Sequence, residues 1–201
     1  MSSKALTGIA VAMGLAACLF VAACGDDDSD SSSSSSTTTT ETSSTTETTA
    51  GVTLLPRNVI IALDAITPHF SEITAEAETG ENSTSSGQPV ANRMVIYANA
   101  DQSKKVTVSV DQYASDADAT AAFDDAAARS KEVEGFSPLP APDIGDKASA
   151  GTVTQGDETH VGVAVLKGDR IVQATAAGFS ATPADIRKIE AVAAAQADAL
   201  Q

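Results

Sequence analysis

From Ser29 to Thr49 every residue is serine or threonine except Asp30, Glu41 and Glu47. Such a stretch has no apolar side chain to bury and nothing to offset the entropy of ordering its backbone, so the sequence predicts a solvated coil. It cuts the 201-residue chain into an apolar front end and a block from residue 51 onward, and only that block can build a core. A domain of that size buries roughly 68–70% of its unfolded surface and folds without a staple. Both cysteines, Cys18 and Cys24, lie in the front end. The block therefore holds neither a disulfide framework nor a thiolate zinc centre. The formal charge of −15 argues against nucleic acid as a partner, because a phosphate backbone selects cationic surfaces.

The front end starts with Lys4 and runs apolar from Ala5 to Ala23, broken only by Thr7, Gly8, Gly14 and Cys18. A cationic start, an apolar middle and small residues before a break are the marks of a secretory signal. The run is also nearly long enough to cross a bilayer as a retained anchor. Retained helices usually end in Lys or Arg on the cytoplasmic side; here Gly25-Asp26-Asp27-Asp28 follows, which marks the exported side. Val21-Ala22-Ala23-Cys24 resembles the bacterial lipobox, in which the cysteine thiol becomes a thioether to diacylglycerol and small residues let a signal peptidase reach the preceding bond. Leu15-Ala16-Ala17-Cys18 fits the same pattern, but cleavage there leaves Leu19-Phe20-Val21 at the head of the mature chain. Cys24 is preferred because the polar coil begins right after it. Residues 1–23 then form a lipoprotein signal peptide, 24–50 a lipidated cysteine with its tether, and 51–201 one globular domain. The expected location is the extracytoplasmic face of the cell membrane, with the membrane itself a partner through the anchor. Residues 25–50, as a flexible coil, reach on the order of 25–30 Å root-mean-square.

Within the block, 11 basic residues stand against 21 acidic ones, and the aromatics are only Phe70, Tyr97, Tyr113, Phe123, Phe136 and Phe179, so the core is aliphatic. Val59, Ile60, Leu63 and Ile66 recur at helical spacing after Pro56, predicting a helix from Pro56 to Ile66 that Pro68 stops. A weak strand follows around Ile73–Glu78, then a loop from Thr79 to Gln88. Met94–Asn99 and Lys105–Tyr113 read as strands, the second with Val106, Val108 and Val110 on one side. Ser115 caps a helix that runs to about Glu134, burying Phe123, Ala127 and Val133, with Gly135 as its stop. The prolines of Pro138-Leu139-Pro140-Ala141-Pro142 read as a link. Lys147–Gln155, Thr159–Lys167 and Arg170–Ala177 are strands joined by tight turns at Gly156-Asp157 and Gly168-Asp169. The middle one is apolar on both sides and so belongs in the centre of the sheet. Thr182 caps a last helix with Pro183 at its first position and a stripe of Ile186, Ile189, Val192, Ala193 and Leu200. Strand, turn, strand and helix thus occur twice, with Tyr113 and Phe179 at matching places. The expected fold is α+β, an antiparallel sheet of about five or six strands with helices packed on one face, and an internal strand-strand-helix duplication.

Leu54-Leu55-Pro56-Arg57-Asn58-Val59, the strand and helix Val106–Ala128, and the last hairpin and helix Val161–Ala199 follow a pattern that resembles the extracellular sensor-like domain of mycobacterial PknH-type serine/threonine kinases and related actinobacterial lipoproteins. That family usually carries disulfide cysteines and several tryptophans, and this block has neither. The resemblance implies an exported binding or sensing module.

Chemistry is harder to find. His69 follows Pro68 at a helix end and is expected to be solvated; His160 opens the central strand, where a structural role outweighs that of a buried base. Gly178-Phe179-Ser180-Ala181-Thr182 lacks the second glycine of a nucleophile elbow. Asp116, Asp118, Thr120, Asp124 and Asp125 invite a calcium loop, but the sixth and twelfth positions are Ala121 and Ala127 where glycine and glutamate are required. Glu72, Glu76 and Glu78 fit an exposed edge. Asn82-Ser83-Thr84 matches a glycosylation sequon. No catalytic residue, metal site or cofactor is expected, and the lipidation site is Cys24. The preferred reading is a lipid-anchored binding or sensing domain that takes a small apolar ligand or an envelope protein, with Ala148-Ser149-Ala150-Gly151 leaving space above the sheet. The alternatives are a structural or interaction lipoprotein without a pocket, and a hydrolase that depends on His160.

Overall fold

Val161, Val163 and Val165 alternate with Gly162, Ala164 and Leu166, and all six are buried. Their strand lies inside a sheet covered on both faces. The computed structural model of the chain describes residues 53–80 and 89–200. The signal residues 1–23, Cys18, Cys24, the tether 24–50, most of the 79–88 loop and Asn82 lie outside the described residues.

The elements are β1 (Thr53–Leu54), a 3₁₀ turn (Arg57–Val59), α1 (Leu63–Ile66), β2 (Ala75–Gly80), β3 (Ala91–Ala98), β4 (Lys105–Gln112), α2 (Asp116–Ser130), β5 (Phe136–Leu139), β6 (Lys147–Gln155), β7 (Glu158–Lys167), β8 (Arg170–Ala177) and α3 (Pro183–Ala199). The fold is α+β, with an open sheet of eight strands in place of the five or six expected. Its order is β1-β3-β4-β8-β7-β6-β5, with β2 also on β3. β1 is parallel to the start of β3 (Thr53↔Ala91), while β2 runs antiparallel along the rest of the same edge (Ala75↔Ala98 to Gly80↔Met94). Every other pairing is antiparallel. As the double-sided apolar pattern predicts, β7 is central, between β8 and β6.

The extra strands are β1 and β5. β5 arises from the segment read as a link: Phe136–Leu139 pairs with Val153–Ala150 of β6. Pro138 is tolerated because an edge strand has one unpaired side, where a missing N–H costs nothing. α2 also ends sooner than expected, at Ser130. Gly135 does not cap it; with φ of +78° it takes the chain so close to β6 that a Cβ there would strike the Thr154 carbonyl.

The helices do not share one face. Val95, Tyr97, Val106, Val108, Val110, Val161, Val163, Val165, Val172, Ala174 and Ala176 point toward α3, meeting Ile189, Val192, Ala193, Ala197 and Leu200 in the main core. Ile66, Phe70 and Ile73 close the same core, with Phe70 tilted against Phe179 at 4.9 Å between ring centres. Ala164, Leu166 and Ile171 point the other way and pack with Tyr113 against Ala119, Ala122 and Phe123 of α2. The duplication therefore extends to element order and not to packing, since Tyr113 and Phe179 end on opposite faces of the sheet.

The expected helix from Pro56 to Ile66 is broken into the 3₁₀ turn and the single turn of α1. The break at Ile60 (φ −98°, ψ 134°) is extended backbone, and on either side of it the Val59 carbonyl and the Ile61 N–H bond to a side chain far along the chain. Gln196 of α3, fully buried, donates from Nε2 to the Val59 carbonyl and accepts from the Ile61 N–H through Oε1, both at 2.9 Å. The helix caps are as predicted. Ser115 Oγ accepts from the Asp118 N–H, and Thr182 and Asp185 bond reciprocally around Pro183. The Thr182 hydroxyl holds the Asp185 carboxyl below its ordinary range.

Candidate functional site

Three polar constructions stand out among the described residues. One lies where the chain passes from β1 toward α1. Arg57 donates to the Glu76 carboxylate at 2.6 Å, to the Tyr97 hydroxyl at 2.9 Å and to the Ile60 carbonyl at 2.8 Å. The Tyr97 hydroxyl in turn donates to the Ile61 carbonyl, and Arg93 donates to that of Leu55. Leu55 still donates its N–H to the Asn92 carbonyl of β3, and beyond it residues 57–61 are strapped to the sheet by side chains. Burial raises the Tyr97 phenol above its ordinary range and the Arg57 charge opposes this; the Arg57 hydrogen bond lowers Glu76.

A pH dependence follows from that last shift. A carboxyl lowered in the folded state adds stability that is present above its unfolded value, near 4.5, and is lost as pH falls through the folded value. The pair is at the surface, with side chains 33% and 36% exposed, so its worth is about 0.2–1 kcal/mol. Urea midpoints taken from neutral pH down to pH 3 are expected to fall less steeply in Glu76→Gln than in the wild type. Parallel curves would mean that the ion pair contributes nothing.

At one end of the sheet the β3–β4 turn, the β6–β7 turn and the β8–α3 connection converge around a cleft of about 790 Å³. Ser103, Gln155, Asp157, Glu158, Phe179 and Ser180 line it. Its volume falls within the usual range of ligand pockets, and its lining is largely polar. His160 stands next to it in the chain: its side chain is mostly buried and its Nε2 lies 3.7 Å from the Glu158 carboxylate, beyond hydrogen-bonding reach.

The third construction is a row of buried polar residues on the sheet face turned away from α3. Asn92 of β3, Ser109 and Asp111 of β4, and Gln173 and Thr175 of β8 are each at most 9% exposed. Gln173 Nε2 donates to Asp111 Oδ2 at 3.4 Å, while Gln173 Oε1 has no hydrogen-bond partner. Reading by period alone missed this row, because Lys105–Gln112 looks like a strand with one wet face. The available signal was Gln173, a long polar residue inside the mostly apolar Ile171–Ala177 run.

The other singled-out residues are spread apart. His69 is half-buried, not fully solvated, at the end of α1. The acids of α2 are occupied separately: Asp118 with the Ser115 hydroxyl, Asp124 with Lys147 at 2.9 Å and Asp125 with Arg129. Among the described residues no group of three or more His, Cys, Asp or Glu side chains is placed to hold a metal. Glu72 pairs with Lys104 and Glu76 with Arg57 on the exposed edge. The small-residue run leaves little open space, since Ala150 is buried in the main core and a Cβ on Gly151 would strike the Phe136 ring. No helix among the described residues is long and apolar enough to cross a membrane.

No family model matches the chain, and no curated protein does either. Among solved structures it is similar to the extracellular domain of PknH from Mycobacterium tuberculosis, at 8% sequence identity and a TM-score of 0.49, over 69% of this chain and 92% of that one. A likeness of that degree carries no inference about activity.

Proposed function

We propose that this chain is an exported lipoprotein of the bacterial cell envelope whose domain binds or senses a ligand, and that it is not an enzyme. The observation that carries the reading is Val21-Ala22-Ala23-Cys24 followed at once by Asp26-Asp27-Asp28 and the Ser/Thr tract. In this reading residues 1–23 are removed, Cys24 holds the acyl chains at the extracytoplasmic face, and residues 24–50 lift the domain clear of the lipid. The cleft at the end of the sheet favours a binding domain over a lipoprotein that acts through its surface alone. Among the described residues the acid facing His160 is Glu158 at 3.7 Å, and no nucleophile is placed with them as a triad, which favours binding over hydrolysis.

The test is an intact-mass measurement of the protein extracted from membranes. The expected mass is that of a chain beginning at Cys24 with a diacylglyceryl group. A chain that still begins at Met1, or one without acyl groups, overturns the reading.

A further inference from the structure

The cleft at the end of the sheet has two walls that are fixed against each other. Gly178, at φ +77°, brings the β8–α3 connection so close to the β3–β4 turn that a Cβ there would fall 2.0 Å from the Ser103 carbonyl oxygen. Ser103 is itself held by Asp101, which accepts from its hydroxyl at 2.7 Å and from its N–H at 3.0 Å. The third wall is the β6–β7 turn, which carries Gln155, Asp157 and Glu158 into the lining. The lining thus holds two carboxylates and no lysine or arginine. Among the described residues neither carboxylate is paired with a lysine or arginine; Glu158 has only His160 near it, at 3.7 Å. Lys104, next to Ser103 in the chain, keeps its ammonium on Glu72 at 3.0 Å and over the Phe179 ring at 5.2 Å, so its charge is answered there.

We infer that this cleft is the binding site of the domain, and that its ligand is a small hydrophilic organic cation, a primary ammonium compound that also carries hydroxyl groups. The inference rests on the binding-domain reading and gives that reading a place and a ligand chemistry. A concave site lined by one sign of charge concentrates ligands of the opposite sign, and the chain charge of −15 acts in the same direction. An ammonium donates charge-assisted hydrogen bonds to carboxylates, here Asp157 and Glu158. Gln155, Ser180 and Thr159 offer amide and hydroxyl partners to a polyhydroxylated body, while Phe179 is the one large apolar side chain of the lining. A bare metal ion fits poorly: the space is about 790 Å³, and among the described residues no three acidic, histidine or cysteine side chains are grouped to hold one.

The experiment uses the mature protein in nanodiscs of neutral phosphatidylcholine, with empty discs as the blank, and isothermal titration calorimetry at neutral pH. Three open-chain sugar derivatives differ at one end only: glucamine carries an ammonium, sorbitol a hydroxyl and gluconate a carboxylate. Glucamine is expected to bind about tenfold more tightly than sorbitol, and gluconate to give no heat. The double variant Asp157→Asn, Glu158→Gln, changed in an exposed turn, is expected to lose that tenfold advantage. Asp124→Asn, Asp125→Asn removes the same charge from α2 and is expected to bind glucamine like the wild type. The inference is overturned if sorbitol or gluconate binds as well as glucamine, or if the turn variant keeps its affinity. It is also overturned if the α2 variant loses as much, since net charge alone would then explain the attraction. Native mass spectrometry of the membrane-extracted protein separates the two levels of the proposal. A retained neutral, anionic or apolar molecule removes the cation site and leaves the binding domain standing. A wild type that carries no molecule and binds none of the three compounds removes both.

Discussion

Gln196→Leu is expected to lower the unfolding free energy by about 2–4 kcal/mol, the largest loss of stability expected from a single polar side chain in this domain. The figure is the cost of leaving two backbone groups, the Val59 carbonyl and the Ile61 N–H, unmet in a partly buried place, each at the lower end of about 1–3 kcal/mol. Leucine fits the volume, so packing contributes little, and the loss isolates the polar contacts of Gln196 with Val59 and Ile61. In a domain of this size that corresponds to a fall in melting temperature of about 5–15 °C. Amide hydrogen exchange supplies the local readout: the Ile61 N–H is expected to lose its protection selectively, while the β7–β8 ladder keeps its own. A variant with a wild-type melting temperature would show that residues 55–61 are held by Arg57, Tyr97 and Arg93 without help from α3.

The same glutamine shows where sequence reading stops. Val59, Ile60, Leu63 and Ile66 carry a helical period, and α1 does contain Leu63 and Ile66, but a period cannot reveal that a residue 135 positions later completes the hydrogen bonds of Ile61. The stripe assigned to the last helix omitted Gln196 because it is polar, although it lies on the buried side with Val192 and Ala193. Features with a local cause were legible. Ser115 and Thr182 cap their helices, Gly156 and Gly168 take positive φ in their turns, and β7 is central because neither of its sides is polar. Features set by tertiary pairing were not. Pro138 in a strand makes sense only once β6 lies on one side and nothing on the other. The separation of α2 from α3 depends on which of two alternating sets each helix covers, and on β7 both sets are apolar. As for the candidate site, the sequence pointed to small residues at 148–151, which the core and Phe136 occupy. The polar row was hidden in a strand whose outer side chains read as wet.

Cys24→Ala is expected to abolish processing of the front end altogether. In the proposed route the thiol is the atom that accepts the diacylglyceryl group, and a peptidase that recognises the lipidated cysteine leaves the signal in place when that sulfur is gone. The variant should then accumulate as an unacylated chain beginning at Met1, held in the membrane only by the apolar run from Ala5 to Ala23. Cys18→Ala should be processed and acylated like the wild type, since in this reading Cys18 is discarded with the signal. Mass measurement of the two variants separates the two lipobox-like sequences, because use of Cys18 reverses the pattern. The energetic consequence is close to all-or-none. Each buried methylene of an acyl chain contributes about 0.8 kcal/mol, and two chains give stable attachment where a single one is marginal. A chain in which a conventional cleavable secretory signal replaces residues 1–24 is therefore expected in the soluble exported fraction, with its domain folded. Persistence of that chain in the membrane fraction would mean that a surface of the domain itself, and not the acyl chains, holds the protein there.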